Sequence, residues 1–191
     1  MTTLIAYQGN GWAAVGADSR ATDDGGRIYD LANKKIYKNG DYLIAVSGAS
    51  RGGNIAQQGW TPPRAPRTND VEKLDVFMTK KFIPKLREAF IAAGFDGKED
   101  GEAAIMDSGF LVIVNGVIYP IANDYSWDRD IRGIYYSGSG GDVALGAAVA
   151  NGLEFVNSPT EAADIVYKAI EVATRYDAYT SGPIEVQVQH Y

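Results

Sequence analysis

A threonine stands directly behind the initiating methionine. Thr2 becomes the N-terminal residue when Met1 is trimmed, which is usual before a small residue. It then carries a nucleophilic hydroxyl and a free α-amine, whose reference pKa is about 8. The amine can accept the hydroxyl proton at neutral pH, so this pair needs no histidine as a base. Met-Thr-Thr also opens many ordinary proteins, so the rest of the chain must decide whether Thr2 does acyl-transfer chemistry.

Cysteine and histidine usage excludes several other chemistries. The 191-residue chain has no cysteine, which removes disulfides, thiol nucleophiles and thiolate metal sites. Its single histidine, His190, is the penultimate residue, and nothing around it resembles a Ser-His-Asp triad. Zinc sites built on several imidazoles are excluded as well. We therefore expect no metal and no cofactor.

Charge and hydropathy indicate a soluble chain. The formal net charge of −6 and the pI of about 4.8 argue against a nucleic-acid partner. No apolar run approaches the ~18 residues that a membrane span requires, and the N-terminus lacks the pattern of a signal peptide. With 46% hydrophobic residues, the length suits one core. We expect a single cytoplasmic domain over residues 1–191, with no membrane partner.

Strand-like runs on either side of Gly/Asn turns predict β-hairpins. Three of them are expected, over residues 3–17, 35–46 and 109–121, with turns at Gly9-Asn10-Gly11, Asn39-Gly40 and Asn115-Gly116. The third belongs to a longer strand-rich segment predicted from Glu102 to Ile121. Further strands are predicted over 133–137 and 184–189, and 27–30 is a short strand or a turn.

Helical patterns fall between and after these hairpins. We expect helices over 54–60, from Asp70 to about 93, over 142–155, and from 158 to about 176. Ser158-Pro159-Thr160-Glu161 is a capping box with proline at the first helical position, and Pro84 should kink or break the second helix. The proline-rich segment 61–67 is expected to be a surface excursion. This order of elements favours an α+β fold over an alternating βαβ one.

Several segments resemble one family when they are taken together and in order. The chain looks like the β-subunits of the proteasome and the bacterial HslV peptidase, the threonine branch of the N-terminal-nucleophile hydrolases. The resemblance covers nearly the whole chain and weakens between Trp60 and Glu102; it implies a four-layer αββα sandwich. The segments that carry it are Thr2-Thr3, Gly16-Ala17-Asp18-Ser19-Arg20-Ala21-Thr22, Asn33-Lys34-Lys35-Ile36-Tyr37, Ser47-Gly48 and Gly138-Ser139-Gly140-Gly141.

The resemblance assigns a nucleophile and a buried cation. Thr2 would attack the scissile carbonyl, and Lys35 would be the catalytic lysine that favours the neutral amine and the developing oxyanion. Asp18 would hold that lysine and balance its charge. In the other reading of these residues, Lys34 and Lys35 are surface charges at the end of a strand and Asp18 is a turn residue.

Four further residues receive roles by the same resemblance. Gly48 corresponds to the glycine whose backbone N–H faces the oxyanion, although a tight turn alone would also explain it. Ser139 matches a serine near the nucleophile, or else belongs to a helix N-terminal nest. Asp177 and Ser181 would tie the amine into a hydrogen-bond network. Residues 177–182 are one residue longer than the usual spacing, so Thr180 could substitute for Ser181.

The resemblance also places a substrate pocket. Ala21, Asn33, Val46 and Ser50 would line it, a small and weakly polar set that favours small or apolar residues before the cut. The predicted function is an N-terminal threonine peptidase that cleaves unfolded chains inside a homo-oligomeric ring of six or seven copies, often stacked in pairs. Such a compartment implies an ATP-driven unfoldase as partner.

Two other functions stay open at this point. One is an amidase of the same superfamily that acts on a small amide. The other is a structural ring subunit that keeps the fold and lacks the activity. Retention of Thr2, Asp18 and Lys35 together counts against the structural subunit.

Overall fold

The computed structural model describes residues 2–23, 25–97 and 104–191. The strands are β1 (Leu4–Gln8), β2 (Trp12–Ala17), β3 (Arg20–Thr22), β4 (Ile28–Asp30), β5 (Ile36–Asn39), β6 (Tyr42–Gly48), β7 (Ser108–Val114), β8 (Val117–Ile121), β9 (Ile134–Ser137) and β10 (Glu185–His190). They form two antiparallel four-stranded sheets, ordered β10-β2-β1-β9 and β5-β6-β7-β8, and a small β3-β4 ribbon.

The helices lie in two groups that are separate along the chain. They are α1 (Ser50–Gln58), α2 (Val71–Phe77), α3 (Ile83–Ala92), α4 (Gly141–Ala150) and α5 (Pro159–Tyr176). The first three pack on the β5–β8 sheet, and the last two pack on the β1-containing sheet. No helix in the described part of the chain is long and apolar enough to cross a membrane.

Three apolar cores separate the layers. The core between the sheets is built from alternate residues of facing strands, such as Leu4, Val15 and Ile113. The outer cores lie between each sheet and its helices. At Gly16, a Cβ would lie 2.5 Å from a Val166 side-chain carbon, so α5 packs directly on the backbone of β2. The predicted α+β, four-layer αββα sandwich is therefore confirmed.

The hairpin turns and helix caps that the sequence predicted are present in the structure. All three hairpins are present. In the third, Asn115 and Gly116 both have positive φ values of 52° and 75°, as a tight two-residue hairpin turn requires. Ser158 accepts a hydrogen bond from the backbone N–H of Glu161 at the start of α5. Asp70 caps α2 in the same way.

Several element boundaries differ from the predictions. Helix α1 begins at Ser50, four residues before the predicted start, because the small residues there fit against strands: Gly53 lies under Val46. Helix α4 ends at Ala150, since Gly152 adopts a left-handed conformation (φ 78°) before a separate 3₁₀ turn over Leu153–Phe155. The strand-rich segment predicted from residue 102 reaches regular pairing at β7; residues 102–103 lie outside the described ranges.

Pro84 was expected to kink or break its helix. The α-helix is interrupted: the chain passes from α2 through a π-helical turn, Met78–Phe82, into α3, where Pro84 occupies the first turn. The backbone N–H of Ile83 bonds to the carbonyl of Met78, five residues earlier. Because the wider turn changes the hydrogen-bond register just before the proline, its missing N–H falls where a helix start tolerates it.

Candidate active site

The side chains of the two threonines before β1 lie on opposite faces of the β10-β2-β1-β9 sheet. Successive side chains of an extended segment point to opposite faces. Leu4 lies in the core between the sheets, whereas Ile5 lies in the core under α4 and α5. Thr2 accordingly lines a cleft with Lys35, and the Thr3 hydroxyl bonds to that of Thr180 in the loop after α5. Both threonines are buried.

A buried ion pair lies on the inter-sheet side. Lys35 Nζ donates to Asp18 Oδ1 at 2.6 Å and to the Arg20 carbonyl at 2.7 Å. The two side chains are 5% and 0% exposed. Neither is a surface charge or an ordinary turn residue, so that reading is wrong for this pair. It holds for Lys34, which is 66% exposed and pairs with Glu185.

Asp18 also collects three backbone N–H groups. Oδ1 accepts from Thr3 at 2.9 Å, and Oδ2 accepts from Arg20 at 3.1 Å and from Ser181 at 3.3 Å. These donors come from the N-terminal segment, from the start of β3 and from the loop after α5. The carboxylate is fully hydrogen-bonded, which is the condition for keeping a buried charge.

Burial dominates the ionisation of Lys35. Desolvation lowers the pKa of the Lys35 ammonium from its usual 10.5, and the neighbouring carboxylate of Asp18 opposes this shift by attraction and by its hydrogen bond. The result is a cation that loses its proton more readily than an exposed lysine does, beside a group that anchors it in place.

The helix side holds a cluster of hydroxyl groups around a carboxylate. Ser139 Oγ donates to Asp177 Oδ2 at 2.8 Å, and Thr180 Oγ1 donates to the same oxygen. The Thr180 side chain also bonds to the Thr3 hydroxyl. Ser181 reaches the site through its backbone: its N–H bonds to Asp18, as given above. The hydroxyl three residues after Asp177, that of Thr180, therefore lies in the position considered for Ser181.

Two glycines allow this close packing. A Cβ on Gly138, whose φ is 86°, would lie 2.0 Å from the carbonyl oxygen of Thr2. A Cβ on Gly140 would lie 2.0 Å from Thr3 Oγ1. Any side chain at either position would displace the N-terminal segment, so the Gly-Ser-Gly-Gly sequence leaves only Ser139 to contribute a functional group.

Gly48 ends β6 at the edge of the cleft. Its φ of 96° lies in the region that favours glycine, and a Cβ would lie 2.9 Å from the carbonyl oxygen of Asp107. The tight turn by itself therefore requires glycine here. Because Gly48 also lines the cleft that contains Thr2, the turn and a role toward a bound acyl group are compatible.

The cleft has a volume of about 310 Å³ and brings the predicted residues together. All four predicted substrate-binding positions line it, alongside Thr2, Lys35 and Gly48. The charged side chains in its lining are cationic. The full lining is Thr2, Arg20, Ala21, Thr22, Tyr29, Leu31, Asn33, Lys34, Lys35, Val46, Gly48, Ala49, Ser50, Gly53, Asn54 and Gln57.

Sequence reasoning missed residues that act through tertiary contacts. Gln57 is buried in α1, and its Nε2 donates to the carbonyls of Lys35 at 2.9 Å and Ile44 at 3.3 Å. Thr3 was noted only as part of the N-terminal pair. A buried glutamine in a helix and a threonine before a strand have no distinctive local pattern, so spacing could not have identified either. Among the described residues, no group of three or more histidine, aspartate and glutamate side chains could hold a metal ion.

The fold defines a class. A four-layer αββα sandwich, with two antiparallel sheets between two helix layers, is the fold of the N-terminal-nucleophile hydrolases. No family model matches the chain. Among curated proteins, it is 28% identical over 197 residues to the ATP-dependent protease subunit HslV of Thermoanaerobacter sp. strain X514 and 27% identical to that of Caldanaerobacter subterraneus subsp. tengcongensis. Each alignment covers 97% of both chains.

Solved structures share the fold at lower sequence identity. The BPH of Thiobacillus denitrificans superposes with a TM-score of 0.73 at 21% identity, covering 99% of this chain and 98% of that one. Its complex with epoxomicin gives 0.74 at 22% identity with the same coverage. HslV from Trypanosoma brucei gives 0.66 at 20% identity and covers both chains fully.

Sequence and structure comparisons thus agree over the whole chain. The predicted resemblance to the proteasome β-subunit and HslV family is confirmed. The comparisons support a protease of the HslV type.

Proposed function

We propose that this protein is an N-terminal threonine peptidase that cleaves peptide bonds of unfolded chains inside a ring of its own copies. The observation that carries the proposal is the buried Lys35–Asp18 ion pair, whose lysine lines the cleft that also contains Thr2. A buried cation is costly unless it is paired and hydrogen-bonded. Because Lys35 lines the same cleft as the candidate nucleophile, its charge can act on the reacting groups.

The reaction follows from the groups present. With Met1 removed, the Thr2 hydroxyl attacks the scissile carbonyl carbon, and its proton passes to the α-amine directly or through a water. The tetrahedral oxyanion faces the backbone N–H of Gly48. When the intermediate collapses, the C–N bond breaks and the ammonium returns its proton to the leaving nitrogen. Water then attacks the ester and loses its proton to the amine. The ester C–O bond breaks, the ammonium returns the proton to the Thr2 oxygen, and the acid is released.

Electrostatics adapt the amine to this task. The Lys35 ammonium disfavours a second positive charge nearby, which keeps the α-amine neutral and able to accept a proton. Asp18 fixes the lysine. On the other face, Ser139 and Asp177 order the N-terminus, with Thr180 supplying the hydroxyl first expected from Ser181.

The residues that line the cleft determine which substrate side chains fit before the cut. Ala21, Asn33, Val46 and Ser50 contact the side chain before the cut, and their size favours small or apolar residues. The ring of six or seven copies, the unfoldase partner and the cytoplasmic location are part of the same proposal. Support for the first two comes from relatives named as subunits of an ATP-dependent protease.

One experiment tests the nucleophile. Purified protein is incubated with epoxomicin, the compound bound in the BPH complex, and its intact mass and fluorogenic-peptide cleavage are measured. Intact mass also reports Met1, which lies outside the described residues. We expect a mass without Met1, a single adduct on Thr2, and loss of at least ~10³-fold in activity for Thr2→Ala. Thr160→Ala, an exposed position on α5, is the matched control and should behave as wild type.

The outcomes separate the alternatives. Unchanged cleavage by Thr2→Ala would contradict the nucleophile assignment. A protein that has lost Met1, assembles and cleaves nothing would favour the structural subunit. Turnover of a small amide without cleavage of peptides would favour the amidase. Native mass spectrometry counts the copies in the assembly and so tests the ring.

A further inference from the structure

We infer that Thr3 is a positioning residue for the nucleophile: its side chain links the N-terminal segment to Asp177 through the hydroxyl of Thr180. The inference deepens the proposed function and depends on it, since it concerns how the amine and hydroxyl of Thr2 are held. Thr3 does not touch the cleft, so its role is one of orientation and not of contact with substrate.

The direction of the hydrogen bonds follows from donor counting. A carboxylate only accepts, so the bond between Thr180 Oγ1 and Asp177 Oδ2 uses the single hydroxyl hydrogen of Thr180. The bond between the two threonine hydroxyls must then be donated by Thr3. A relay runs from Thr3 to Thr180 to Asp177. Thr3 and Thr180 are both 0% exposed, so water does not compete for these bonds.

The backbone of Thr3 is held from the other face. Its N–H donates to Asp18 Oδ1 at 2.9 Å, and its carbonyl accepts from the Asp18 N–H at 3.3 Å. The residue that follows the nucleophile is therefore fixed by one carboxylate on each face of the sheet. Both carboxylates act within one peptide unit of Thr2, which restricts the direction in which the N-terminus can leave the sheet.

The space around the three relay side chains is filled, and even a methyl group at Gly140 would not fit. A Cβ on Gly140 would lie 2.0 Å from Thr3 Oγ1, 2.6 Å from Thr180 Oγ1 and 3.0 Å from Asp177 Oδ2. Gly140 thus faces every member of the relay. Closely packed, fully hydrogen-bonded polar groups in a buried site specify one geometry.

Thr3→Val tests the relay, because valine keeps the shape and removes the hydroxyl, and Thr3→Ser restores the hydroxyl without the methyl. We expect Thr3→Val to lower kcat for a fluorogenic peptide by ~10-fold or more with KM within twofold, since small misplacement of a reacting group costs rate. Thr3→Ser should stay within about threefold of wild-type kcat. Thr180→Val breaks the relay from its other side, and the double variant should lose no more than the worse single variant.

These measurements distinguish the two proposals. Wild-type kcat in Thr3→Val, with Thr2→Ala inactive, would overturn the relay and leave the peptidase intact. Additive losses in the double variant would also overturn it. Activity in Thr2→Ala would overturn the proposed function and this inference with it. Should Thr3→Val fail to fold by circular dichroism, Thr3→Ala against Thr3→Ser decides the same question, because alanine and serine differ only in the hydroxyl.

Discussion

The two faces of the first sheet hold the N-terminus by different means. On the inter-sheet face, Asp18 is buried, takes a cation at 2.6 Å and accepts three backbone N–H groups. On the helix face, Asp177 receives the hydroxyls of Ser139 and Thr180. The first arrangement balances a buried cation and also holds the backbone of Thr3, whereas the second orders side-chain hydroxyls. Two carboxylates near one threonine thus meet different demands, so loss of charge at each should have a different cost.

The inter-sheet face should show the largest effect, through pH. Lys35 has a lowered pKa, so it is protonated below that pKa and neutral above it. Activity that needs the ammonium is present at lower pH and is lost as pH rises through a value below the usual 10.5. We expect kcat/KM to fall to near zero along this limb. A profile of kcat/KM from pH 6 to 11 measures it, with circular dichroism to show that the fold persists. Full activity at pH 10.5 would contradict a role for the charge.

The second test compares the two carboxylates directly. Asp18→Asn removes the counter-charge of a buried lysine and replaces one acceptor oxygen by an NH₂ group, a donor that would face other donors. We expect it to lower the free energy of unfolding by ~3–5 kcal/mol. Asp177→Asn keeps an oxygen that can accept from hydroxyls, and it should cost about 1 kcal/mol. Urea denaturation of both variants measures the difference, and equal losses would remove the distinction between the faces.

The third test crowds the helix face. Gly140→Ala places a methyl group against the hydroxyls of Thr3 and Thr180. It should cost about 1–3 kcal/mol and lower activity as well. Gly140 is the N-cap of α4, and Gly146 lies within that helix, where a Cβ meets nothing within 4 Å. Gly146→Ala is therefore the matched control and should raise stability by about 0.5–1 kcal/mol. Thermal unfolding of the pair checks the contrast, which fails if both changes have the same sign.

The smallest effect is expected just outside the buried pair. Lys34 is the neighbour of Lys35 in sequence, yet it is largely exposed and bridges to Glu185 at 2.7 Å. An exposed ion pair contributes little, so Lys34→Ala should change the free energy of unfolding by less than ~1 kcal/mol. Urea denaturation measures this loss beside that of Asp18→Asn. A loss of equal size would mean that burial does not separate these charges.

Local chemistry explains which parts of the fold were predictable. The hairpin turns and the Ser158 cap depend on residues within a few positions of one another, and they formed as predicted. Pro84 was read correctly as incompatible with an uninterrupted α-helix, but the π turn that accommodates it requires packing against the β5–β8 sheet. The end of α4 was missed because alanine favours helix, whereas Gly152 turns the chain.

The site was predictable to the extent that it follows a familiar order of residues. That order singled out Thr2, Asp18 and Lys35; in the structure, Thr2 and Lys35 line one cleft and Asp18 pairs with Lys35. Thr180 and Ser181 could not be separated by spacing, because only the path of the loop after α5 decides which residue presents a side chain and which a backbone N–H. Thr3 and Gln57 were invisible for the same reason: their partners lie at the far end of the chain or on another element.

The Asp18 junction has a consequence for folding. One of its donors, Ser181, lies 163 residues further along the chain. Closing a loop of that length costs conformational entropy before the bond can form. The junction is therefore complete only when the segment after α5 has docked on the N-terminal segment.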